Sequence, residues 1–158
     1  MVAIQKNNET QKFWDLLSEV PDPEIPVINL VELGVVRNIE LDGQTIIVTV
    51  TPTYTGCPAK KLFNDLITEK LNVNGYNNVE IITQLHPVWN TDWLSEETKA
   101  KMYKDGISPP TDDNLVITCP HCHSTNTEMV SQFGSTPCQS LYKCLDCLEP
   151  FNYFKCHR

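Results

Sequence analysis

The sequence has few basic residues and no long apolar run, and each shortage excludes a class of function. Lysine and arginine together number 12 against 20 aspartates and glutamates, which gives a net charge of -8. Such a chain is repelled by the phosphates of nucleic acids and by anionic membrane surfaces, so we expect protein partners instead. Because it contains no apolar run of about 18 residues, no segment is predicted to span a membrane.

Recognisable catalytic and targeting motifs are also missing. The first residues lack the basic-then-apolar pattern of a secretory signal, so we expect a cytoplasmic protein. The chain has no phosphate-binding loop, no nucleophile–base spacing and no carboxylate–histidine cluster typical of a di-iron centre, and we predict that it is not itself an enzyme. In the cytoplasm, its seven cysteines indicate metal ligands and reactive thiols rather than disulfides.

The first half of the chain alternates helical and extended patterns in the order α-β-β-α-β. Apolar spacing predicts a helix from Thr10 to about Val20, and Asp42-Gly43 predicts the turn of a hairpin over residues 34–51. A second amphipathic helix over 59–71 and a strand over 79–85 follow. This order predicts an α+β fold, a small sheet with helices on one face, followed by a β-rich zinc ribbon.

Three parts are predicted: an α+β domain over 1–88, a helical appendage and linker over 89–114, and a zinc-ribbon module over 115–158. The appendage is expected to fold onto the first domain. Its two tryptophans, Trp89 and Trp93, favour packing over the alternative of an exposed docking surface.

Residues 51–58 lie between the second strand and the second helix, and they carry the only cysteine before Cys119. Pro58 fits the first position of a helix, which places Cys57 at the N-cap. A thiol at the positive end of a helix dipole has a lowered pKa and is available as a nucleophile or a metal ligand. The alternative is a small buried cysteine that only fills the joint.

A proline-rich segment, 21–26, ends the first helix and carries two carboxylates, Asp22 and Glu24. Three prolines in six residues fix a stiff extended backbone. One interpretation is a helix stop with solvated charges. The other is a rigid platform that directs a carboxylate towards a ligand or a partner.

Two C-x2-C motifs near the end of the chain predict a metal site. Four thiolates at this spacing bind one Zn²⁺ tetrahedrally, and the ligands are Cys119, Cys122, Cys144 and Cys147. Four thiolates leave no open coordination position, so the predicted zinc is structural. Iron in a rubredoxin-like site is the alternative, but such sites normally have glycine after each pair, where this chain has His123 and Leu148.

Several metal-binding side chains remain surplus to this set. Cys138 and Cys156 can form a second thiol pair or fill small gaps, and an exchange with a cysteine of the two motifs stays open. The surplus histidines are His121, His123 and His157.

Three short motifs resemble a known signature. Residues 22–26, 33–36 and 55–58 are similar to the iron–sulfur carrier domain of bacterial SufT-type maturation proteins and of a cytosolic iron–sulfur assembly factor of eukaryotes. With the run from Trp89 to Pro110 and the ribbon that ends over 147–156, nearly the whole chain resembles the PaaD family (also called PaaJ), whose members belong to phenylacetyl-CoA epoxidase systems.

This resemblance implies a role in aerobic phenylacetate breakdown. It implies maturation rather than epoxidation, with delivery of iron or an iron–sulfur cluster to an oxygenase or reductase component of the epoxidase system. It places Cys57 at the family's reactive cysteine, and Asp22 and Glu24 at its acidic motif. A standing cluster usually needs four thiolates, so one chain does not suffice and a homodimer or the recipient would complete the site.

Two other functions stay open from the sequence. The chain can be a scaffold that bridges epoxidase components without handling metal, or an electron-transfer subunit if the ribbon holds iron.

Overall fold

A computed structural model describes residues 9–110 and 116–155. The chain divides between Trp89 and Asn90 into two compact units. In the described part of the chain, no helix is both long enough and apolar enough to cross a membrane.

The first unit contains two helices and three strands. In chain order they are α1 (Gln11–Leu17), β1 (Val36–Asp42), β2 (Thr45–Val50), α2 (Lys60–Val73) and β3 (Val79–Thr83). The sheet order is β1-β2-β3, with β1 and β2 antiparallel and β2 and β3 parallel. This arrangement confirms the predicted α+β class and the order of its elements.

The core of the first unit lies between its sheet and its helices. Alternate residues of β2 are buried, as a strand with one covered face requires: Ile46, Val48 and Val50. Helix α2 buries residues at spacings of four, which form one apolar stripe: Phe63, Ile67 and Leu71. Helix α1 ends at Leu17, three residues earlier than predicted, and adds its own buried side chains.

The parallel pairing of β2 with β3 explains why a helix stands between them. Parallel neighbours cannot be joined by a tight turn, so the chain leaves the carboxyl end of β2, passes through α2 and returns to β3. The segment that carries Cys57 therefore lies at the carboxyl end of β2. The hairpin turn between β1 and β2 lies at the other end of β2, where Gly43 adopts a φ of 60°.

The second unit contains a 3₁₀ turn, one helix and four strands. They are the 3₁₀ turn (Thr91–Trp93), α3 (Glu96–Lys104), β4 (Ile107–Ser108), β5 (Thr127–Ser131), β6 (Gln139–Cys144) and β7 (Pro150–Phe154). The sheet order is β4-β7-β6-β5, in which only the β4–β7 pair is parallel. The predicted β-rich character of this region is confirmed.

The expected position of the helical appendage is wrong. Helix α3 and strand β4 belong to the second unit, because Ile107 and Ser108 extend the ribbon sheet by pairing with Asn152 and Tyr153 of β7. The capping of α3 was predictable, since the Ser95 hydroxyl accepts a hydrogen bond from the backbone N–H of Thr98.

Trp89 lies on the other side of the division, in the first unit. It is 2% exposed, and its indole N–H donates a hydrogen bond of 2.8 Å to the carbonyl of Leu33. The packing interpretation is therefore confirmed for Trp89.

Candidate functional sites

The four cysteines of the two C-x2-C motifs converge on one point in the second unit. Their sulfur atoms all lie within 4.8 Å of one another, and this is the only such group of three or more potential ligands within 9–110 and 116–155. The sulfur–sulfur distance is 3.7 Å between Cys119 and Cys147, and 3.5 Å between Cys122 and Cys144. Tetrahedral coordination with metal–sulfur bonds of about 2.3 Å requires sulfurs about 3.8 Å apart, so the four thiols fit a single four-coordinate ion.

The residue that follows each cysteine pair adopts a left-handed backbone conformation. The φ angle is 64° at His123 and 65° at Leu148. Glycine takes this conformation without strain, whereas other residues carry a cost of about 1–2 kcal/mol. The absence of glycine therefore leaves the turn geometry intact, and it does not by itself decide between zinc and iron.

Hydrogen bonds tie the two cysteine motifs together. Asp146, inside the second motif, accepts from the Ser124 hydroxyl and from the side-chain amide of Asn126, 2.8 Å away. Both donors follow the first motif in sequence. These bonds hold the pKa of Asp146 below its ordinary value, so the carboxylate stays charged.

The backbone also prepares the second motif for metal. The N–H groups of Cys147 and Asp146 hold the pKa of the Cys144 thiol at about 7, since they stabilise its thiolate. Metal binds the thiolate form of cysteine. Neither this effect nor the role of Asp146 was visible in the sequence.

The surplus cysteines and histidines lie outside the metal cluster. Cys138 is buried, with its sulfur 3.0 Å from the Thr136 hydroxyl oxygen, and it is absent from the four-thiol group. Cys156 and His157 lie outside the described residues. The expected gap-filling role of Cys138 agrees with its burial.

Cys57 lies before helix α2 rather than at its N-cap. The helix begins at Lys60 with Ala59 as its N-cap, so the predicted position was wrong by two residues. The Cys57 carbonyl accepts a hydrogen bond from the Lys60 N–H, and this bond makes a tight turn ahead of the helix. The side chain is 7% exposed.

The prediction of a lowered pKa for Cys57 was wrong as well. Burial raises the pKa of this thiol, and the negative charges of Glu24 and Asp22 raise it further. The N–H groups of Ala59 and Lys60 act in the opposite direction but do not offset these effects. The thiol is therefore protonated at neutral pH while the site holds no cation.

Asp22 is buried in the proline-rich segment, where only 2% of it is exposed. Its Oδ1 accepts hydrogen bonds from the backbone N–H groups of Ile25, at 2.7 Å, and Glu24, at 2.9 Å. Burial raises the pKa of Asp22 to about 6, because the loss of hydration outweighs these two bonds. The interpretation of solvated charges is thus wrong for Asp22, which holds the turn of the segment.

The structure therefore places the three predicted residues of the first unit in one electrostatic neighbourhood. Glu24 is half-buried and its charge acts on Asp22 and on Cys57. Two carboxylates and one thiol can bind a cation, since a positive ion removes the repulsion among them. The single thiol sets a limit, because a standing iron–sulfur cluster usually needs four thiolates.

The two units define a class of protein, an iron–sulfur-assembly-type α+β domain joined to a zinc ribbon. The family model described as "Iron-sulfur cluster assembly protein" matches residues 10–81. The one described as "PaaD zinc beta ribbon domain" matches residues 105–155.

A relative covers almost the whole chain. The PaaD component of the 1,2-phenylacetyl-CoA epoxidase of Escherichia coli (strain K12) is 42% identical over 154 residues, which are 94% of this chain and 93% of the relative. The chain belongs to this PaaD family of phenylacetyl-CoA epoxidase components, as the resemblance in the sequence indicated.

Two solved structures are similar to part of the chain. The crystal structure of a DUF59 domain of unknown function from Bacillus anthracis is 27% identical with a TM-score of 0.54, and the match covers 58% of this chain and 89% of that one. A conserved hypothetical protein from Thermotoga maritima is 27% identical with a TM-score of 0.49, over 64% of this chain and 98% of that one. The Bacillus match supports the α+β fold class.

Proposed function

We propose that this chain is an accessory maturation subunit of a phenylacetyl-CoA epoxidase system in aerobic phenylacetate catabolism, and that it works in the cytoplasm. It delivers iron or an iron–sulfur cluster to an oxygenase or reductase component through Cys57 and does not perform the epoxidation. The observation that carries this proposal is the neighbourhood of Cys57, Asp22 and Glu24 within the region that matches the iron–sulfur assembly family.

The electrostatics of this neighbourhood suit a carrier. The empty site keeps its thiol protonated, so the thiol is a poor nucleophile and resists oxidation. An arriving iron ion offsets the charges of Glu24 and Asp22, the thiol proton leaves to solvent, and the thiolate binds the iron. Release reverses these steps, and the returning proton disfavours rebinding.

The shortage of thiols makes the binding transient. Cys57 is the only cysteine described in the first unit. A cluster at Cys57 therefore needs thiolates from a second copy of the chain or from the recipient protein. Incomplete ligation by the carrier favours transfer to a recipient that supplies a full set.

Anaerobic reconstitution with ferrous iron and sulfide tests the proposal. Wild type should take up labile iron that the Cys57→Ala variant does not, and both should keep the metal of the ribbon. Cys138→Ala is the matched control, since Cys138 is also buried and free but lies outside both sites. Equal iron uptake by wild type and Cys57→Ala would reject Cys57 as the iron ligand.

We propose zinc as the metal of the four-thiol site, in a structural role. The match of residues 105–155 to a zinc ribbon family and the closed set of four thiols support this assignment. The purified protein should be colourless with about one zinc per chain. A red protein with visible thiolate-to-iron absorption would instead favour the electron-transfer function.

A scaffold function is the second candidate, because the ribbon exposes apolar side chains. Met129 and Val130 on β5, and Phe133 just beyond it, are each more than half exposed. Exposed apolar residues near the edge of a sheet suit a protein partner. Co-purification with the oxygenase in fixed stoichiometry, together with no iron uptake, would favour the scaffold over the carrier.

A further inference from the structure

The second unit contains a contact between helix α3 and the first cysteine motif that the sequence did not indicate. The Tyr103 hydroxyl donates a hydrogen bond of 2.8 Å to the backbone carbonyl of Cys119. Its oxygen also lies 2.9 Å from Nδ1 of His123, and the two rings stack with their centroids 5.5 Å apart. A side chain from outside the ribbon thus holds both ends of the turn that contains the first cysteine pair.

Counting protons fixes the form of His123. A carbonyl only accepts hydrogen bonds, so the single hydroxyl proton of Tyr103 is used on Cys119. The phenolic oxygen then has only lone pairs to offer to His123, so Nδ1 must carry a proton and donate. Neutral His123 is therefore the Nδ1–H tautomer, which leaves Nε2 without a proton.

The contact supports a turn whose backbone is strained. His123 has a φ of 64°, and its N–H donates to the same Cys119 carbonyl, at 2.9 Å. The equivalent residue after the second pair, Leu148, has nearly the same φ but is 64% exposed. The two cysteine pairs are therefore held differently, the first by an aromatic side chain of α3 and the second by the side chain of Asp146.

We propose that Tyr103 is a positioning residue for the metal site. It locks His123 as the Nδ1–H tautomer and fixes the turn that presents Cys119 and Cys122, and so it slows metal release. Residues that orient metal ligands in this indirect way commonly matter for metal retention. The proposal concerns the ribbon alone and does not depend on iron delivery by Cys57.

The experiment compares the full-length zinc-loaded wild type with Tyr103→Phe, which removes only the hydroxyl. Long-range ¹⁵N–¹H spectra at about pH 8, where histidine is neutral, should show His123 as the Nδ1–H tautomer in wild type and as the commoner Nε2–H tautomer in the variant. The rate of zinc release to a chromogenic chelator should rise about three- to tenfold, as expected for the loss of one hydrogen bond.

Tyr142→Phe is the matched control. Tyr142 belongs to the same unit and packs on Phe151 and Tyr153, and within the described residues its hydroxyl makes no hydrogen bond. This variant should release zinc at the wild-type rate. An Nε2–H tautomer in wild-type protein, or a zinc release rate in Tyr103→Phe equal to that of Tyr142→Phe, would overturn the proposal. So would an unchanged His123 tautomer in Tyr103→Phe, because the hydroxyl would then act on the fold alone.

Discussion

Replacing Asp22 by asparagine should make the protein more stable at neutral pH but not at acid pH. The pKa of this carboxyl is 3.8 in an unfolded chain and about 6 in the folded one. Between these values the folded chain binds a proton that the unfolded chain has lost, so the free energy of unfolding falls as the pH rises through this window. The interval corresponds to about 3 kcal/mol.

Asparagine keeps an oxygen that can accept from the N–H groups of Ile25 and Glu24 but carries no charge. The stability of Asp22→Asn relative to wild type should therefore increase by about 3 kcal/mol between about pH 4 and about pH 7.5. Asp22→Ala is the contrasting variant, since it leaves two backbone donors unpaired and should be less stable than Asp22→Asn by about 1–3 kcal/mol at every pH.

Urea unfolding of the zinc-loaded chain measures these differences. Tryptophan fluorescence reports mainly on the first unit, which contains two of the three tryptophans, Trp14 and Trp89. A difference between Asp22→Asn and wild type that stays constant over this pH range would refute the reasoning, because it would mean that Asp22 does not titrate in this window.

Three further predictions follow from the same structure. Leu148→Gly should stabilise the zinc-loaded ribbon by about 1 kcal/mol because glycine relieves the positive φ, and a lower thermal midpoint would contradict this. Alkylation of Cys57 should be slow at neutral pH and faster as the pH rises, and Glu24→Gln should speed it because the Glu24 charge raises the thiol pKa; an unchanged rate would count against that electrostatic contact. Chelation should abolish the circular dichroism of the β4–β7 sheet, since Cys119 and Cys144 lie in its buried core and structural zinc contributes about 10–16 kcal/mol in small peptides; a sheet that persists without metal would show that the core suffices.

The features that were predictable from sequence are those fixed by local spacing. Two C-x2-C motifs bring four thiols together because each pair is a short turn, and the Asp42-Gly43 dipeptide determines a hairpin without distant help. Alternation in β2 and four-residue spacing in α2 record which face is buried. These signals lie within a few residues of one another along the chain.

The features that sequence reasoning missed depend on distant contacts. The pKa of Cys57 is set by burial and by carboxylates far earlier in the chain, so a helix-dipole argument gave the wrong sign. Strand β4 has two residues and exists only because β7 offers it an edge. Tyr103 meets Cys119 through the fold of the second unit, and nothing in the spacing of these residues indicates the contact.

The central claim is that Cys57 passes iron or a cluster to another protein, and transfer of radioactive iron tests it most directly. Wild type and Cys57→Ala, each treated anaerobically with ⁵⁵Fe and sulfide, are mixed with the iron-free oxygenase or the cluster-free reductase of the epoxidase system, and the label in the recipient is counted over time. We expect wild type to load one of these recipients faster than free iron and sulfide do, and Cys57→Ala to give no acceleration. Equal loading with wild type, with Cys57→Ala and without the protein would contradict the account and leave the scaffold function as the explanation of this chain.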